Sequence, residues 1–292
     1  MTSAAPAAVA RLTRVSFLVL VGAFFVTPLL WLLLAPTKTN DQLATRQPLA
    51  FGSFANVGRA WHNLMSYNNG EILVWLWNSV LYGVIGVALA VAMTIPAGYA
   101  LAVYRFRARK LILVLTLISM IMPVAATVLP IYRELAALSL TDTRWSVILP
   151  SAFFPFGAYL SYLHFQTAMP RELLEAARMD GAGDLRVFAS IGLPLARPAM
   201  ALVAFFAFVA SWNNYFLPYV MLVDDRLYNL QLGVATLLSS APVINTSNLS
   251  DLPIHRPEAA LAALISVVPI GLFFLAFQRV IGRGLLAGAI KG

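Results

Sequence analysis

The chain has 292 residues, of which 60% are hydrophobic and only 11% are charged, with a mean hydropathy of +0.80. A soluble domain of this length carries more charge on its surface, so the composition indicates a polytopic membrane protein. The absence of cysteine excludes disulfides and cysteine-based metal or redox chemistry. The formal net charge is +8, but the arginines stand in short clusters between apolar runs, which is typical of topology signals rather than of a nucleic-acid surface.

Six apolar runs are predicted to cross the membrane as helices. At about 1.5 Å per residue, some twenty residues span a hydrocarbon core of roughly 30 Å. The expected spans are residues 15–35, about 73–103, 111 to about 132, 145 to about 168, 194 to about 222, and 257 to about 280. The first is too long for a signal-peptide core and has no clear cleavage site, so it is interpreted as a transmembrane helix.

The segments between the spans are expected to be mostly loops. Residues 1–10 are small and neutral and are predicted to be a mobile tail, and residues 36–72 and 223–256 are predicted to be long polar loops. In the second span, Trp75 and Trp77 suit a membrane interface.

One segment between the fourth and fifth spans stands out, and we call residues 170–183 the docking segment. Pro170 suits the first turn of a helix, and Gly181 and Gly183 are expected to end it after about three turns. Its apolar and charged faces fit a helix resting on lipid head groups. They equally fit a docking element for a soluble partner.

The distribution of basic residues predicts the side on which this segment lies. Of the 20 Lys and Arg residues, 13 fall in the N-terminal tail, the loop 104–110, the neighbourhood of the docking segment and the C-terminal tail. The remaining 7 are spread over much longer loops. By the positive-inside rule, both termini and the docking segment are cytoplasmic.

Several kinds of chemistry have no sequence support. The chain has no glycine-rich phosphate-binding loop for ATP, no H-E-x-x-H pattern among its three histidines, and therefore no predicted metal or catalytic site. No carboxylate lies deep inside a predicted span, which argues against a self-sufficient secondary carrier, although backbone carbonyls can also bind sodium. Asp180-Gly181 is a pair also found in membrane alcohol-phosphatidyl transferases. Those enzymes need several more aspartates on the same segment, and this chain lacks them.

The docking segment resembles the EAA motif of ABC-importer permeases. Glu175-Ala176-Ala177 is followed, after three intervening residues, by Gly181. Nine further residues separate Gly181 from Ile191, and one residue separates Ile191 from Leu193-Pro194. Further resemblance, over roughly residues 75–292, lies in Tyr99-Ala-Leu-Ala, in Trp212-Asn213 with Pro218, and in the end Ala287-Gly-Ala-Ile-Lys-Gly292. These are similar to the maltose-type carbohydrate-uptake branch, and within it to MalG-like subunits.

The resemblance implies an ABC type I importer permease fold. This is an all-α membrane protein of six transmembrane helices, with a cytoplasmic EAA coupling helix between spans 4 and 5. Residues 1–72 would hold the tail, first span and extracytoplasmic loop, and residues 73–292 the permease core.

The resemblance also implies partners. They are a second, MalF-like permease, two ABC ATPase subunits that carry ATP and Mg²⁺, and an extracytoplasmic solute-binding protein, all in or at the bacterial inner membrane with its lipid. The positions expected to couple to the ATPase are Glu175, Ala176, Ala177, Asp180, Gly181, Leu193 and Pro194. The tail residues Lys291 and Gly292 would reach the ATPase interface, and the 223–256 loop would meet the binding protein.

A cargo site is expected in the fifth span. Trp212, Asn213, Asn214 and Tyr215 combine amides for hydroxyls with aromatic faces for sugar C–H groups. The same groups could instead join helices by interhelical hydrogen bonds. The cargo is expected to be a sugar or oligosaccharide, the alternatives being another polar solute such as glycerol phosphate or, in a different class, a stand-alone secondary carrier.

Overall fold

The computed structural model of the chain describes residues 4–242 and 252–289. All regular secondary structure in these residues is helical. The α-helices are α1 (Ala4–Leu34), α2 (Asn40–Thr45), α3 (Phe54–Ser66), α4 (Glu71–Val103), α5 (Arg109–Ile121), α6 (Val124–Ala137), α7 (Arg144–Ile148), α8 (Pro155–Ala168), α9 (Arg171–Met179), α10 (Asp184–Val187), α11 (Leu193–Leu195), α12 (Arg197–Trp212), α13 (Phe216–Met221), α14 (Leu230–Ser240) and α15 (Arg256–Ala289). A π-helical turn, Phe188–Gly192, joins α10 to α11.

Within these residues, four helical stretches are long and apolar enough to cross a membrane: Ala10–Thr37, Glu71–Val103, Arg144–Ala168 and Arg256–Gln278. Two bent pairs also qualify, α5 with α6 (110°) and Asp184–Leu195 with α12 (72°). The described residues therefore hold four spans, or six if each bent pair is one span. The all-α membrane fold predicted from the sequence is confirmed, whereas the count of six stays a prediction.

The third predicted span, from residue 111 to about 132, is not one continuous helix, since it breaks at Met122 and Pro123. Proline lacks an N–H and disfavours helical backbone in the residue before it. Met122 accordingly has an extended ψ of 130° and Pro123 a ψ of 134°.

Three predicted loops and tails contain helices. α1 begins at Ala4 inside the expected tail, α2 and α3 lie in the 36–72 loop, and α14 lies in the 223–256 loop. The cap of α2 was present in the sequence: Thr39 and Gln42 form a capping box, in which each side chain accepts from the other's backbone N–H.

The chain packs as two units, one of residues up to 71 with 234–267, the other of residues 72–233 with those from 268 onward. In the first unit the Lys38 side chain is 1% exposed. Its Nζ donates to the carbonyl oxygens of Gln47 (3.0 Å) and Pro48 (2.7 Å). Glu258 accepts from Asn63 Nδ2 (2.8 Å). Buried charges are thus hydrogen-bonded, as burial requires.

In the second unit, one face of α4 holds the backbone of residues 225–230. Trp75 Nε1 donates to the carbonyl of Asp225 (2.9 Å), and Asn78 Nδ2 donates to the carbonyls of Arg226 (2.8 Å) and Tyr228 (2.9 Å). Tyr82 Oη donates to the carbonyl of Leu227 (2.7 Å). Ser79 Oγ accepts a hydrogen bond from the N–H of Leu230 (2.7 Å). Spacings of three, four and seven place these side chains on one helical face.

This face corrects the expectation for the paired tryptophans. Trp75 is 1% exposed and lies in the protein interior, whereas Trp77 is 62% exposed and remains available to a membrane interface. Gly233 lets the chain approach the Trp75 indole, because a Cβ at this position would overlap the ring. Two residues apart on a helix point to opposite sides, so only one of the pair can face lipid.

Candidate docking helix and cargo cavity

The docking segment forms α9, whose C-terminal end is set by a glycine. Gly181 has a φ of +78°, a left-handed conformation that glycine adopts without steric cost. Its N–H donates to the carbonyl of Arg178 (3.0 Å), and the N–H of Ala182 donates to that of Ala177 (3.0 Å). These bonds form a Schellman motif, which satisfies carbonyls of the last turn. Gly181 thus turns the chain out of α9, and its role toward a partner stays a prediction.

The two faces of α9 have different surroundings. Leu174 and Ala177 are buried. The opposite face is exposed and carries Glu172, Glu175, Ala176 and Met179, with Asp180 exposed just beyond the helix. The alanine pair of the motif is therefore divided: Ala177 packs inward against this chain, and only Ala176 is placed to approach a partner directly.

The exposed side of this region also carries large apolar side chains. Met179 is 87% exposed and Leu185, in α10, is 85% exposed. They add apolar area to a surface whose other exposed side chains are mostly charged. Sequence reasoning missed Leu185, although its place between Asp184 and Arg186, in a polar stretch, was a usable signal.

The buried side of α9 rests on a hydrophobic cluster, here called the α9 cluster. Its buried members come from α4, α8, α9, α10, α12 and the turns that join them: Ile95, Tyr99, Phe165, Met169, Leu174, Ala177, Val187, Ala196, Ala199 and Val203. Tyr99 lies at its centre, with its ring centroid 5.3 Å from that of Phe165 and 4.9 Å from that of Phe188. Because such packing is dense, α9 is firmly attached to the ends of these helices.

Leu193 and Pro194, the end of the motif, lie where the chain turns into the fifth span. Leu193 packs against the α9 cluster, whereas Pro194 is exposed. The N–H of Ala196 donates to the carbonyl of Gly192 (2.9 Å) at the 72° bend before α12. These residues shape the link between α9 and α12 rather than extend the outer face of α9.

Electrostatic contacts around α9 are local and exposed. Arg178 Nη2 lies 3.3 Å from Asp184 Oδ1, with both side chains more than half exposed. Burial raises the pKa of the Tyr104 hydroxyl, and the nearby Asp184 carboxylate raises it further. An exposed ion pair of this kind contributes at most about 1 kcal/mol, so the packing of the α9 cluster dominates the attachment of the helix.

A cavity of about 840 Å³ opens where three helical segments are interrupted. The interruptions are Met122–Pro123 between α5 and α6, residues 153–154 before α8, and residues 213–215 before α13. Non-helical backbone at membrane depth is tolerated where it lines a water-filled space. The meeting of three such breaks makes this cavity the candidate for a solute pathway.

The cavity lining is mainly apolar, carries polar and aromatic side chains among the aliphatic ones, and contains no charged residue. It includes Ser119, Thr127, Ser151, Ser211, Asn213 and Asn214 among the polar residues, and Phe153, Phe154, Tyr215 and Phe216 among the aromatic ones. The sequence analysis did not predict that Ser151 and the phenylalanines line a cavity. The two prolines that flank them, Pro150 and Pro155, were the available signal of a break.

Asn213 and Asn214 each use one end of the amide within the protein. Asn213 Nδ2 donates to the carbonyl of Val209 (2.9 Å), and Asn214 Oδ1 accepts the N–H of Leu217 (3.3 Å). The remaining acceptor and donor have no hydrogen-bond partner among the described residues, so they are available at the cavity. Tyr215 is 41% exposed beside them.

Trp212 differs from its three neighbours. It is 1% exposed, stacks on Phe208 with the ring centroids 5.5 Å apart, and is absent from the cavity lining. The helical turn before the break directs it into the protein core and away from this cavity, and its expected place beside the cargo stays a prediction. Lys291, Gly292 and residues 243–251 of the 223–256 loop lie outside the described residues. Within the described part, no three His, Asp or Glu side chains are grouped to hold a metal ion.

Comparison with known proteins gives concordant matches. Residues 94–286 match the family described as binding-protein-dependent transport system inner membrane component. The chain is 29% identical to the arabinooligosaccharides transport system permease protein AraQ of Bacillus subtilis (strain 168), over 97% of this chain and 96% of that protein. It is 30% identical to the diacetylchitobiose uptake system permease protein NgcG of Streptomyces coelicolor, over 94% of this chain and 87% of that protein.

A solved structure shares the fold. A chain in the crystal structure of a bacterial ABC transporter involved in the import of the acidic polysaccharide alginate superposes with a TM-score of 0.79. The match covers 96% of this chain and 98% of that chain, at 19% sequence identity.

Proposed function

Because the chain belongs to the family of binding-protein-dependent transport system inner membrane components, we propose that it forms half of the membrane pathway for a sugar or oligosaccharide. It is a permease subunit of an ABC importer and not itself an enzyme. Such an importer includes a partner permease, an ATPase and a binding protein. In our proposal there is one MalF-like permease and there are two ATPase subunits, and ATP and Mg²⁺ are bound by the latter.

The uncharged lining of the cavity is the observation that carries the choice of cargo. Amides and hydroxyls replace the water around sugar hydroxyls, and aromatic faces cover the apolar C–H surface of the sugar ring. An anionic cargo such as glycerol phosphate would lack a cationic partner among these side chains. Relatives named for arabinooligosaccharide and diacetylchitobiose transport support the same choice.

The exposed face of α9 is proposed to dock on an ATPase subunit. Glu175 and Asp180 provide charge at this surface, and Met179 and Leu185 provide apolar area that the partner covers. Ala176, small and exposed, permits close approach at the centre of the face.

Movement of α9 is proposed to open the pathway alternately to the two sides of the membrane. Closure of the ATPases around ATP displaces α9, and the α9 cluster transmits the displacement to α4, α8 and α12. ATP then selects one of two conformations by its differential affinity for them. The cavity lies between segments of α8, α12 and the bent α5–α6 pair, so a shift of these elements changes its access.

The chain is a multi-pass protein of the membrane, and we propose the inner membrane of a bacterium with both termini cytoplasmic. The basic residues of the 104–110 loop and around α9 support this orientation. The C-terminal tail with Lys291 and Gly292 is proposed to reach the ATPase interface, and the 223–256 loop to meet the binding protein.

The cargo proposal is tested by uptake of radiolabelled oligosaccharides through the reconstituted importer. Asn213→Leu keeps the approximate size of the side chain but removes its free amide oxygen. We expect uptake to fall roughly tenfold, the cost of one lost hydrogen bond at a desolvated site. Gln278→Leu, an exposed amide on α15, is the matched control and should transport normally.

Two results would contradict the proposal in different ways. Unchanged uptake in Asn213→Leu would remove this cavity from the cargo pathway. Saturable uptake of an anionic solute by the wild-type importer, with none of any sugar, would replace the cargo and leave the permease role intact.

A further inference from the structure

A second cavity, of about 710 Å³, lies beside the turn that joins α4 to α5, and four cations line it. These are Arg105, Arg107, Arg109 and Lys110. Neither the cargo cavity nor the outer face of α9 contains any of them. The positive-inside rule accounts for a basic loop at this place, but it does not say what occupies the cavity that these cations line.

The four cations lack a counter-charge within the described part of the chain. The ion pairs there join Arg178 with Asp184 and Arg226 with Asp224, and none involves this group. Like charges held together raise the electrostatic energy of the fold, and a bound anion lowers it. The composition of the cavity therefore selects for a negatively charged ligand.

Arg109 has a hydrogen-bond donor without an acceptor. Its Nε is buried and has no hydrogen-bond partner in the described residues. The guanidinium carbon lies 5.8 Å from the ring centroid of Tyr162 on α8, which supports the group from one side by a cation–π contact. A buried N–H without an acceptor is unfavourable, so a rotation of this side chain that brings the N–H to an oxyanion in the cavity is favoured.

The backbone at this place favours the same ligand. Arg109 begins α5, a helix of 13 residues, and the N-cap Ala108 has no side chain that accepts from its first turn. Unpaired N–H groups and the positive end of the helix dipole attract anions. A phosphate group, with several acceptor oxygens, suits both the guanidinium groups and the helix N-terminus.

The apolar surroundings identify the source of the phosphate. Phe106 and Leu113 line the same cavity, and exposed Leu111, Leu115 and Ile118 continue along α5. Exposed apolar side chains of a membrane-spanning helix face acyl chains, so the cations at its end lie at head-group depth.

We propose that this cavity binds the head-group phosphate of an anionic phospholipid such as phosphatidylglycerol, with the acyl chains along α5. Bound lipid fixes the α4–α5 turn to the membrane surface. The neighbouring α9 surface remains free to follow a partner. This site goes beyond the transport role and does not depend on the identity of the cargo.

The test is native mass spectrometry of the importer complex purified in detergent and mixed with equal amounts of phosphatidylglycerol and phosphatidylcholine. We expect the wild-type complex to retain phosphatidylglycerol over phosphatidylcholine by roughly tenfold, because cations near a membrane surface favour anionic lipid. Equal retention of the two lipids by the wild type overturns the proposal without recourse to any variant.

Variants locate the site. Arg105→Gln/Arg109→Gln should lose most of the preference, whereas Arg46→Gln/Arg133→Gln removes the same charge at exposed positions and should keep it. Only complexes that elute as assembled particles are compared. If the first double variant does not assemble, Arg109→Lys serves, because it keeps the charge and removes the Nε donor. An unchanged preference in the variant that assembles contradicts the assignment.

Free phosphate is distinguished from lipid in the same experiment. Inorganic phosphate at millimolar concentration should not displace phosphatidylglycerol, because it lacks the contacts along α5. Complete displacement by phosphate would identify a soluble-anion site and overturn the lipid assignment.

Discussion

At the scale of single residues, Gly181 shows how one backbone conformation positions a surface. Its left-handed φ of +78° closes the Schellman motif, and a Cβ there would meet no neighbouring atom. Glycine is therefore favoured at this position by the backbone conformation and not by a lack of room for a side chain. A residue with a side chain costs about 1–2 kcal/mol in this conformation, and asparagine costs less because it visits the left-handed region readily.

This difference gives a prediction with an internal control. Gly181→Val should shift the end of α9 and reduce the amount of ATPase that co-purifies with the tagged chain, at matched membrane levels. Gly181→Asn should retain most of it. Co-purification in mild detergent, quantified against the partner permease, is the measurement. If both variants retain the ATPase fully, the end of α9 has no part in docking. If even the wild type retains none, docking at α9 fails altogether.

At the scale of elements, α4 carries two functionally different sides. Its inner face hydrogen-bonds four backbone carbonyls and one N–H of residues 225–230, and its outer face carries exposed apolar side chains. The segment it holds follows α13, which lies next to the cargo cavity. Stability of α4 is thus coupled to the position of the chain beyond the fifth span.

The two tryptophans of α4 test this division. Trp75→Leu should destabilise the protein by about 3 kcal/mol, since it removes buried ring area and leaves the carbonyl of Asp225 without its donor. Trp77→Leu, on the exposed face, should change stability by less than about 1 kcal/mol. Thermal unfolding of the purified chain in one detergent measures both. Equal effects would show that α4 does not hold the 225–230 segment through this face.

At the scale of the whole molecule, the chain leaves wide apolar surfaces. In the apolar stretch of α1, no residue is buried by the rest of the chain. In a membrane such a helix is covered by lipid or by another subunit. The orientation of the molecule across the membrane decides which exposed elements each soluble partner can reach.

The absence of cysteine makes that orientation directly measurable, because a single introduced thiol is the only one in the chain. Val223→Cys and Met179→Cys replace side chains that are 81% and 87% exposed. A membrane-impermeant maleimide should label Val223→Cys in spheroplasts and Met179→Cys only after permeabilisation. The reverse pattern would place α9 outside the cell and contradict docking on a cytoplasmic ATPase.

The limits of sequence reasoning appear at specific residues. Composition and apolar runs identified a helical membrane protein and placed the ends of α4 within two residues, since a long apolar run has few alternatives in lipid. The third span bends by 110° at Pro123, a residue that disfavours a continuous helix but does not fix the angle of the bend. The helices α2 and α3 in the 36–72 segment were missed because short, capped helices lack a continuous apolar run. The helix α14 in the 223–256 segment is apolar, but its 11 residues are too few to cross a membrane.

The sequence by itself determined the membrane location, the docking segment and its glycine end, because these depend on local composition, spacing and backbone preference. Only the tertiary structure decided that Trp75 faces inward while Trp77 does not, that Ala177 packs inward while Ala176 is exposed, and that three separate breaks meet around one cavity. Each of these depends on which helix lies beside which. Helical periodicity places residues on faces of one helix, but packing between helices decides what each face meets.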